Sequence, residues 1–550
     1  VAEQLIKIIE NAIHENWQNQ ALANYGQPAI TYGETAHKIL YLHAIFEKCN
    51  IKPDDKIAVI GKNSVHWTIV YLATITYGAV IVPILPDFSA SDIHHIINHS
   101  DSKLFFASQT HFELIDENQM PELDGILSLE HFSALYCRKK HIASVLEKVN
   151  EHFSKNPPAE ITNGKITFTS YPPEKLMAIV YTSGTTGFSK GVMLPQRSLT
   201  ENIRYAQRNM PLKAEDNIVS FMPLAHAYGC AFEFLFPFTL GCFITFLDKI
   251  PSPKIIVKAF QEIRPQLILS VPLIIEKIYN KQIKPVIQTP KMKLLLKTPG
   301  LKQVVKKKIH KKLTAVFGAN FHEIVIGGAA LNEEVEAFLH DIGFHFTIGY
   351  GMTECGPLIS YAGWKEHKLK SCGKLVDSLE LKIDSENPQE EVGEILVRGA
   401  NVMLGYYKNP EATEETIEKD GWLHTGDLGV IDKEQFIFIK GRKKSMLLGS
   451  SGQNIYPESI EAQLNNFPYV QESLIIEESG KLIALVYPDM EKVDAEKLSE
   501  QELREKMDEN RNLINEKLPV YSKISRLKIY PEEFEKTPTK KIKRFLYIHT

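Results

Sequence analysis

Cysteine is scarce in this chain. Six occur in 550 residues, at Cys49, Cys137, Cys230, Cys242, Cys355 and Cys372, with no C-x-x-C pair among them. That scatter argues against a disulfide framework or a structural zinc site and fits a reducing compartment. Long apolar runs are also lacking: none reaches eighteen residues, so no stretch reads as a membrane span. The beginning, "VAEQLIKIIENAIHENW", has helical spacing with interleaved acids and none of the layout of a signal peptide. A cytoplasmic location is the expectation, and the leading Val1 leaves room for a missing initiator methionine or short leader. No charge of one sign dominates, since 63 Lys and Arg stand against 67 Asp and Glu for a net charge of −4. Such a balance gives no reason to expect a nucleic-acid partner.

What is present is a large globular composition, 44% hydrophobic and 24% charged, in a chain too long for one core. From about residue 30 to 110, apolar runs ("KIAVIG", "AVIVPIL", "KLFFAS") alternate with helical patterns such as "SVHWTIVYLATITYG". This is the rhythm of α/β structure with parallel strands. The alternation returns with "DNIVSFMP", "CFITFLD", "LILSVP", "FHEIVIGG" and "FHFTIGYG", which predict a second sheet layer. Between about 370 and 440, "LELKIDS", "GEILVRG" and "QFIFIKG" read as short antiparallel strands of a small barrel or sheet. Beyond Gly441 and Arg442 the pattern is mixed again. A helix signal lies at "YPESIEAQLNNF", strands at "ESLIIEE" and "KLIALVYP", and a charged helix through "EKLSEQELREKMDENRNLINEKL".

The stretch "YTSGTTGFSKG", Tyr181 to Gly191, concentrates three glycines, five serine and threonine hydroxyls and one lysine directly after the apolar run "LMAIV". Glycines permit positive φ and bring N–H and O–H groups together, which suits a loop that cradles oxyanions. The familiar phosphate loop G-x-x-x-x-G-K-[ST] is absent, because five residues on from Gly184 stands Ser189 and Lys190 is followed by Gly191. Taken alone, the stretch also admits the reading of a Gly-rich surface turn.

Five further stretches follow in order: "PLAHAYG" at 223–229, "YGMTE" at 350–354, "GWLHTGD" at 421–427, "GRKKS" at 441–445 and "TPTKKIKR" at 537–544. Together with "TSGTTGFSKG", these resemble the signature motifs of the adenylate-forming (AMP-binding) superfamily. The length and the phrasing "YGMTECGPLIS" and "FEKTPTKKIKR" look most like long-chain fatty acyl-coenzyme A synthetases. The resemblance implies an α/β fold with a large N-terminal domain, 1–441. That domain holds two stacked α/β sheet subdomains to about residue 365 and a small β-barrel-like subdomain over about 366–441. A small mobile α+β C-terminal domain, 442–550, is expected to follow.

The activity implied is an ATP-dependent acid:thiol ligase. A fatty acid attacks the α-phosphorus of ATP, pyrophosphate leaves, and the acyl group passes from acyl-AMP to coenzyme A. In that reading Ser183, Gly184, Thr185, Thr186, Gly187 and Lys190 grip the phosphates, while Thr182 and Glu354 hold magnesium, a hard cation suited to oxygen ligands. Thr353 bonds the α-phosphate, with Gly351 and Met352 beside it in the same motif. Tyr350 stacks on adenine, and Gly328, Ala329 and Ala330 lie along the base. Asp427 accepts the ribose hydroxyls and Arg442 approaches the ribose or phosphates. His226 sits beside the substrate carboxylate, and the aromatic run after it, "CAFEFLFPFTLG", is a candidate lining for the acyl pocket. Lys541 steadies the carboxylate and α-phosphate, a task for a compact charge on a long stem. Lys540 stands where glycine is common in the family. Lys444 matches the hinge about which the C-terminal domain turns.

Two alternatives remain open at this point: an acyl-AMP ligase that hands its product to an acyl carrier protein, and a non-catalytic nucleotide- or lipid-binding relative. One feature has no assigned task. From Lys277 to Lys312 there are twelve lysines and no acid. A solvated helical face, attraction to an anionic membrane surface in a peripheral association, and attraction to the 3′-phosphate of coenzyme A all account for it.

Overall fold

A computed structural model describes residues 4–155, 166–182, 189–247, 253–299, 301–448, 453–537 and 542–548. The strands that read as continuous apolar runs lie at the centre of the largest sheet. Lys56–Ile60 and Val80–Ile84 pair in parallel, and every residue of the second is buried. Burial on both faces is what an uninterrupted run of branched side chains demands of a parallel strand. Ser102–Ala107 and Gly125–Ser128 extend the sheet on one side, and Leu176–Thr182 joins it in parallel on the other. Lys190–Pro195 and then Gly405–Tyr406 complete that edge with antiparallel pairing.

The helix between the first two strands, Val65–Tyr77, begins at Ser64, whose hydroxyl accepts the Trp67 amide, and stops at Gly78 with φ of 88°. A side chain at Gly78 would strike the Tyr171 hydroxyl at 2.1 Å, so this stop requires glycine on two counts.

The second layer consists of two short sheets. One orders Asn217–Ser220, Phe243–Phe246, Gln20–Asn24 and Ile30–Thr31; the other orders Leu267–Ser270, Glu323–Ile326 and Phe346–Ile348 in parallel. They meet where the Gln266 amide donates to the Asn217 carbonyl at 3.0 Å. A four-stranded antiparallel sheet follows, Leu379–Asp384, Gly393–Gly399, Leu423–Ile431 and Ile437–Arg442.

One apolar core embraces buried residues from Leu5 to Ile437, and among the described residues two smaller cores take their buried members from Ile455 to Tyr547. The latter are built on the sheet Val470–Glu478, Lys481–Pro488 and Ile524–Ile529. Polar contacts across the division include Lys281 with Glu491 at 3.2 Å and the Asn332 amide donating to Asn466.

Two expectations are adjusted. The charged C-terminal helix runs from Glu500 to Asn515 and does not begin earlier, because Ser499 and Glu502 form a reciprocal capping box there. The aromatic run after His226 is interior. Phe232, Phe234, Phe236 and Phe238 are at most 1% exposed; Phe234 packs edge-on against Trp67 and Tyr71, and Phe238 lies against Tyr32. Among the described residues no helix is long and apolar enough to cross a membrane.

Candidate active site

The glycine-rich stretch joins two neighbouring strands of the main sheet. Thr182 pairs with Lys190 and Tyr181 with Gly191, so both ends of the loop are pinned at one point of the sheet edge. Gly191 is tightly enclosed, since a Cβ there would come within 2.9 Å of the Ile179 side chain. Ser183, Gly184, Thr185, Thr186 and Gly187, between those ends, lie outside the described residues.

Lys190 directs its ammonium over the ring of Tyr406, 4.8 Å from the centroid. Tyr406 arrives from the next strand, in register with Val192. Its hydroxyl donates to Glu354 Oε1 at 2.9 Å. Glu354 occupies the turn Thr353–Cys355, and the Met403 amide donates to its backbone carbonyl at 2.9 Å. One tyrosine therefore links the lysine of the loop to the glutamate of "YGMTE". Burial, reinforced by the Glu354 charge, pushes the Tyr406 phenol far up, so it stays a donor. The sequence had not marked this residue.

A second cluster forms around Asp427. The Tyr350 hydroxyl donates to Asp427 Oδ2 at 2.7 Å, and Arg442 Nε meets Oδ1 at 2.8 Å. Asp427 and Arg442 face each other directly in the register of their strands. Tyr350, Thr353 and Asp427 are buried, Met352 is half-buried, and Gly351 and Arg442 are exposed. Beneath "HTGD", Glu394 accepts from His424 at 3.0 Å, the Gly426 amide at 3.2 Å and Lys443 at 2.7 Å. Burial opposes ionisation of Glu394, but Lys443 and His424 outweigh it and hold the carboxyl below its usual range. This is another positioning group that no motif announced. Lys444, next along, is exposed.

The "IGGAAL" segment leaves the end of strand Glu323–Ile326 with Gly328 at φ of 88° and with Gly328, Ala329 and Ala330 all exposed. Tyr228 joins it to the histidine motif by donating to the Val325 carbonyl at 3.0 Å. His226 caps the short turn that follows it, with Nδ1 accepting the Tyr228 amide at 3.3 Å. The ring proton then belongs on Nε2, which makes that nitrogen a donor.

Two buried groups fix the chain ahead of His226. Glu233 Oε2 accepts from the Ser220 hydroxyl at 3.0 Å and from the Phe221 and Met222 amides at 2.8 Å each. Asn63 Nδ2 donates to the Met222 carbonyl at 2.7 Å while its Oδ1 accepts the Leu224 amide at 3.1 Å. Burial pushes the Glu233 carboxyl well above the ordinary carboxylate range. A narrow apolar cleft opens beside this segment, lined by Tyr71, Leu224, Ala227, Cys230, Ala231 and Gly356 among others. Its volume of about 10 Å³ holds roughly one water. Small residues of the "HAYGCA" stretch border it, while the phenylalanines do not.

Lys540 and Lys541 lie outside the described residues. Their flanks are held by the C-terminal cores: Lys536 bridges to Ile542, and Arg544 pairs with Glu461. Among the described residues no group of three or more His, Cys, Asp or Glu is arranged to hold a metal. Magnesium in a nucleotide site asks for less, one or two protein oxygens with phosphates and water supplying the rest. The Glu354 carboxylate, fixed through one oxygen and near the loop, is a donor of the right kind.

The chain belongs to the AMP-binding enzyme family, whose model matches residues 9–407. Among curated relatives, it is 27% identical to the long-chain-fatty-acid–CoA ligase FadD15 of Mycobacterium bovis over 94% of this chain and 90% of that protein. It is also 27% identical to the long-chain-fatty-acid–CoA ligase heimdall of Drosophila melanogaster, over 87% of this chain and 74% of that one. The fold is that of ATP-bound MatB from Rhodopseudomonas palustris, with a TM-score of 0.77 at 18% identity over 100% of this chain and 99% of the other. It is equally that of the o-succinylbenzoate coenzyme A synthetase MenE of Bacillus subtilis with ATP and magnesium, at a TM-score of 0.75 and 19% identity, covering 98% of both chains.

Proposed function

We propose that this AMP-binding enzyme is an ATP-dependent ligase that activates a fatty acid as acyl-AMP and transfers the acyl group to coenzyme A. The observation that carries the reading is the link from Lys190 through Tyr406 to Glu354, which brings an ammonium and a carboxylate together beside the base of the loop. Lys190 and the loop hydroxyls bind the phosphates. Thr182 and Glu354 would hold magnesium, whose charge offsets that of the phosphates. Tyr350 and residues 328–330 receive the adenine, and Asp427 accepts the ribose hydroxyls with Arg442 beside it. His226, with its proton on Nε2, donates to the acid's carboxylate and orients it for attack on the α-phosphorus. Electrostatic stabilisation by preplaced donors of this kind is ordinarily the largest catalytic contribution.

Residues 1–441 and 442–550 act in this reading as two units. The second carries Lys541 to the reacting phosphorus and then turns about Lys444 to admit the thiol. The separation of the apolar cores supports that division. Pyrophosphate release measured over a panel of acids, with coenzyme A and with an acyl carrier protein as acceptors, tests the whole. Release with fatty acids and thioester formation on coenzyme A are expected; no release with any acid would overturn it.

A further inference from the structure

The connection between the parallel strands Leu267–Ser270 and Glu323–Ile326 is far longer than a crossover needs. Its central part is a pair of packed helices, Pro290–Lys297 and Leu301–Val316. The first has no buried residue, although it contains three consecutive leucines. Leu294 is 68% exposed, and on the second helix Val304 is 62% exposed. Leu301, Val304, Lys308 and Lys311 follow one another at steps of three and four, so they share one face, and all four are exposed. The opposite side of that helix turns Leu313 and Phe317 into the core.

Three of the twelve lysines in this connection meet acids: Lys281 with Glu491, Lys284 with Glu334, and Lys306 with Asp341. The other nine have no acidic partner among the described residues. They spread along a helix some ~24 Å long and its neighbour, a span too great for one phosphate group to engage. An acidic protein would match the charge and leave the leucines in water. A surface with anionic headgroups over an apolar interior takes both, lysine to the headgroups and leucine or valine below them.

We infer that this helical pair is the docking element by which the protein associates peripherally with anionic lipid bilayers. It stands on the surface chemistry alone and does not depend on the ligase reading. Both ends of the connection return to the candidate nucleotide site. Val271, at its start, would lie 3.8 Å from a Cβ placed on Gly328, and its end enters the strand that leads to Gly328.

The test is sedimentation of the full chain with phosphatidylcholine vesicles, with and without added phosphatidylglycerol, across a salt series. Binding is expected only with the anionic lipid and should weaken steeply as salt rises. Each lysine at such a surface is worth roughly fivefold in partitioning, so the triple variant Lys307→Gln, Lys308→Gln, Lys311→Gln should bind about 100-fold more weakly. Leu294→Asn with Val304→Asn should weaken binding while leaving its salt dependence in place. Circular dichroism of each variant, expected to match the wild type, separates lost docking from lost folding. Equal sedimentation with neutral vesicles, or undiminished binding by a folded triple variant, overturns the proposal. So does loss of affinity in that variant for an acidic carrier protein but not for vesicles.

Discussion

Tyr406 stands between two opposite charges, its hydroxyl on Glu354 and its ring under Lys190. Replacing it by phenylalanine keeps the ring and the cation above it but removes the bond to the carboxylate. A hydrogen bond to a charged group is worth about 1.5–3 kcal/mol, so Tyr406→Phe should lower kcat/KM for pyrophosphate release by about tenfold or more. Half-saturation should also shift to higher magnesium, because the carboxylate loses its orientation. A magnesium titration identical to the wild type would mean that Glu354 is held by something else. Glu354 and Lys190 were legible in the sequence because each lies in a short motif that resembles a signature of the family. Tyr406, in "LGYYKNP", is one of 21 tyrosines and meets Glu354 only once the sheet edge has formed. Glu394 and Asn63 escaped for the same reason, each acting on a segment distant in the chain, and Glu233 because an acid inside an aromatic run shows its partners only once that run is buried.

Strands and helices were easier to read than contacts. The continuous apolar runs became buried parallel strands and the alternating ones antiparallel strands, since burial on one face or two is written directly in the side-chain pattern. An all-apolar segment gives no such direction, and so "CAFEFLFPFTLG" could not be told apart as core or pocket before its neighbours were placed. Helix on helix, Tyr32–Lys48 sets His43 against Val65–Tyr77, with Nε2 at 3.0 Å from the Ala73 carbonyl, to which it donates. Burial pushes the His43 imidazole down to about 4, with the Ala73 carbonyl partly opposing. The unfolded chain takes up this proton near pH 6.5 and the folded one only near pH 4. The contribution is complete above the higher value and is lost as pH falls toward the lower. His43→Gln removes the titration. The stability advantage of wild type over this variant should shrink by about 2 kcal/mol between pH 8 and pH 5, read from urea unfolding midpoints.

At the scale of the molecule, no apolar cluster among the described residues spans the division between residues up to 437 and those from 455 onward. A chain ending at residue 441 keeps the first core whole. It should fold, bind ATP within a few-fold of the full protein in calorimetry, and release pyrophosphate at least about 100-fold more slowly for want of Lys541. Release at the full rate would place the charge that steadies the phosphorus elsewhere. The change of pattern after Gly441 was visible in the sequence; the polar character of the seam was not, because it depends on pairs such as Lys281 and Glu491 that only folding brings together.

The Asp427–Arg442 ion pair closes the last strand before the division, and Arg442 lies two positions from Lys444. In the proposed reading, turning of the backbone about Lys444 pulls first on this pair, which then works as a latch. In the same reading, a ribose held by Asp427 competes for the carboxylate and loosens the pair. Thermodynamic reciprocity then requires that the orientation of the C-terminal unit set nucleotide affinity by the same factor with which nucleotide sets that orientation.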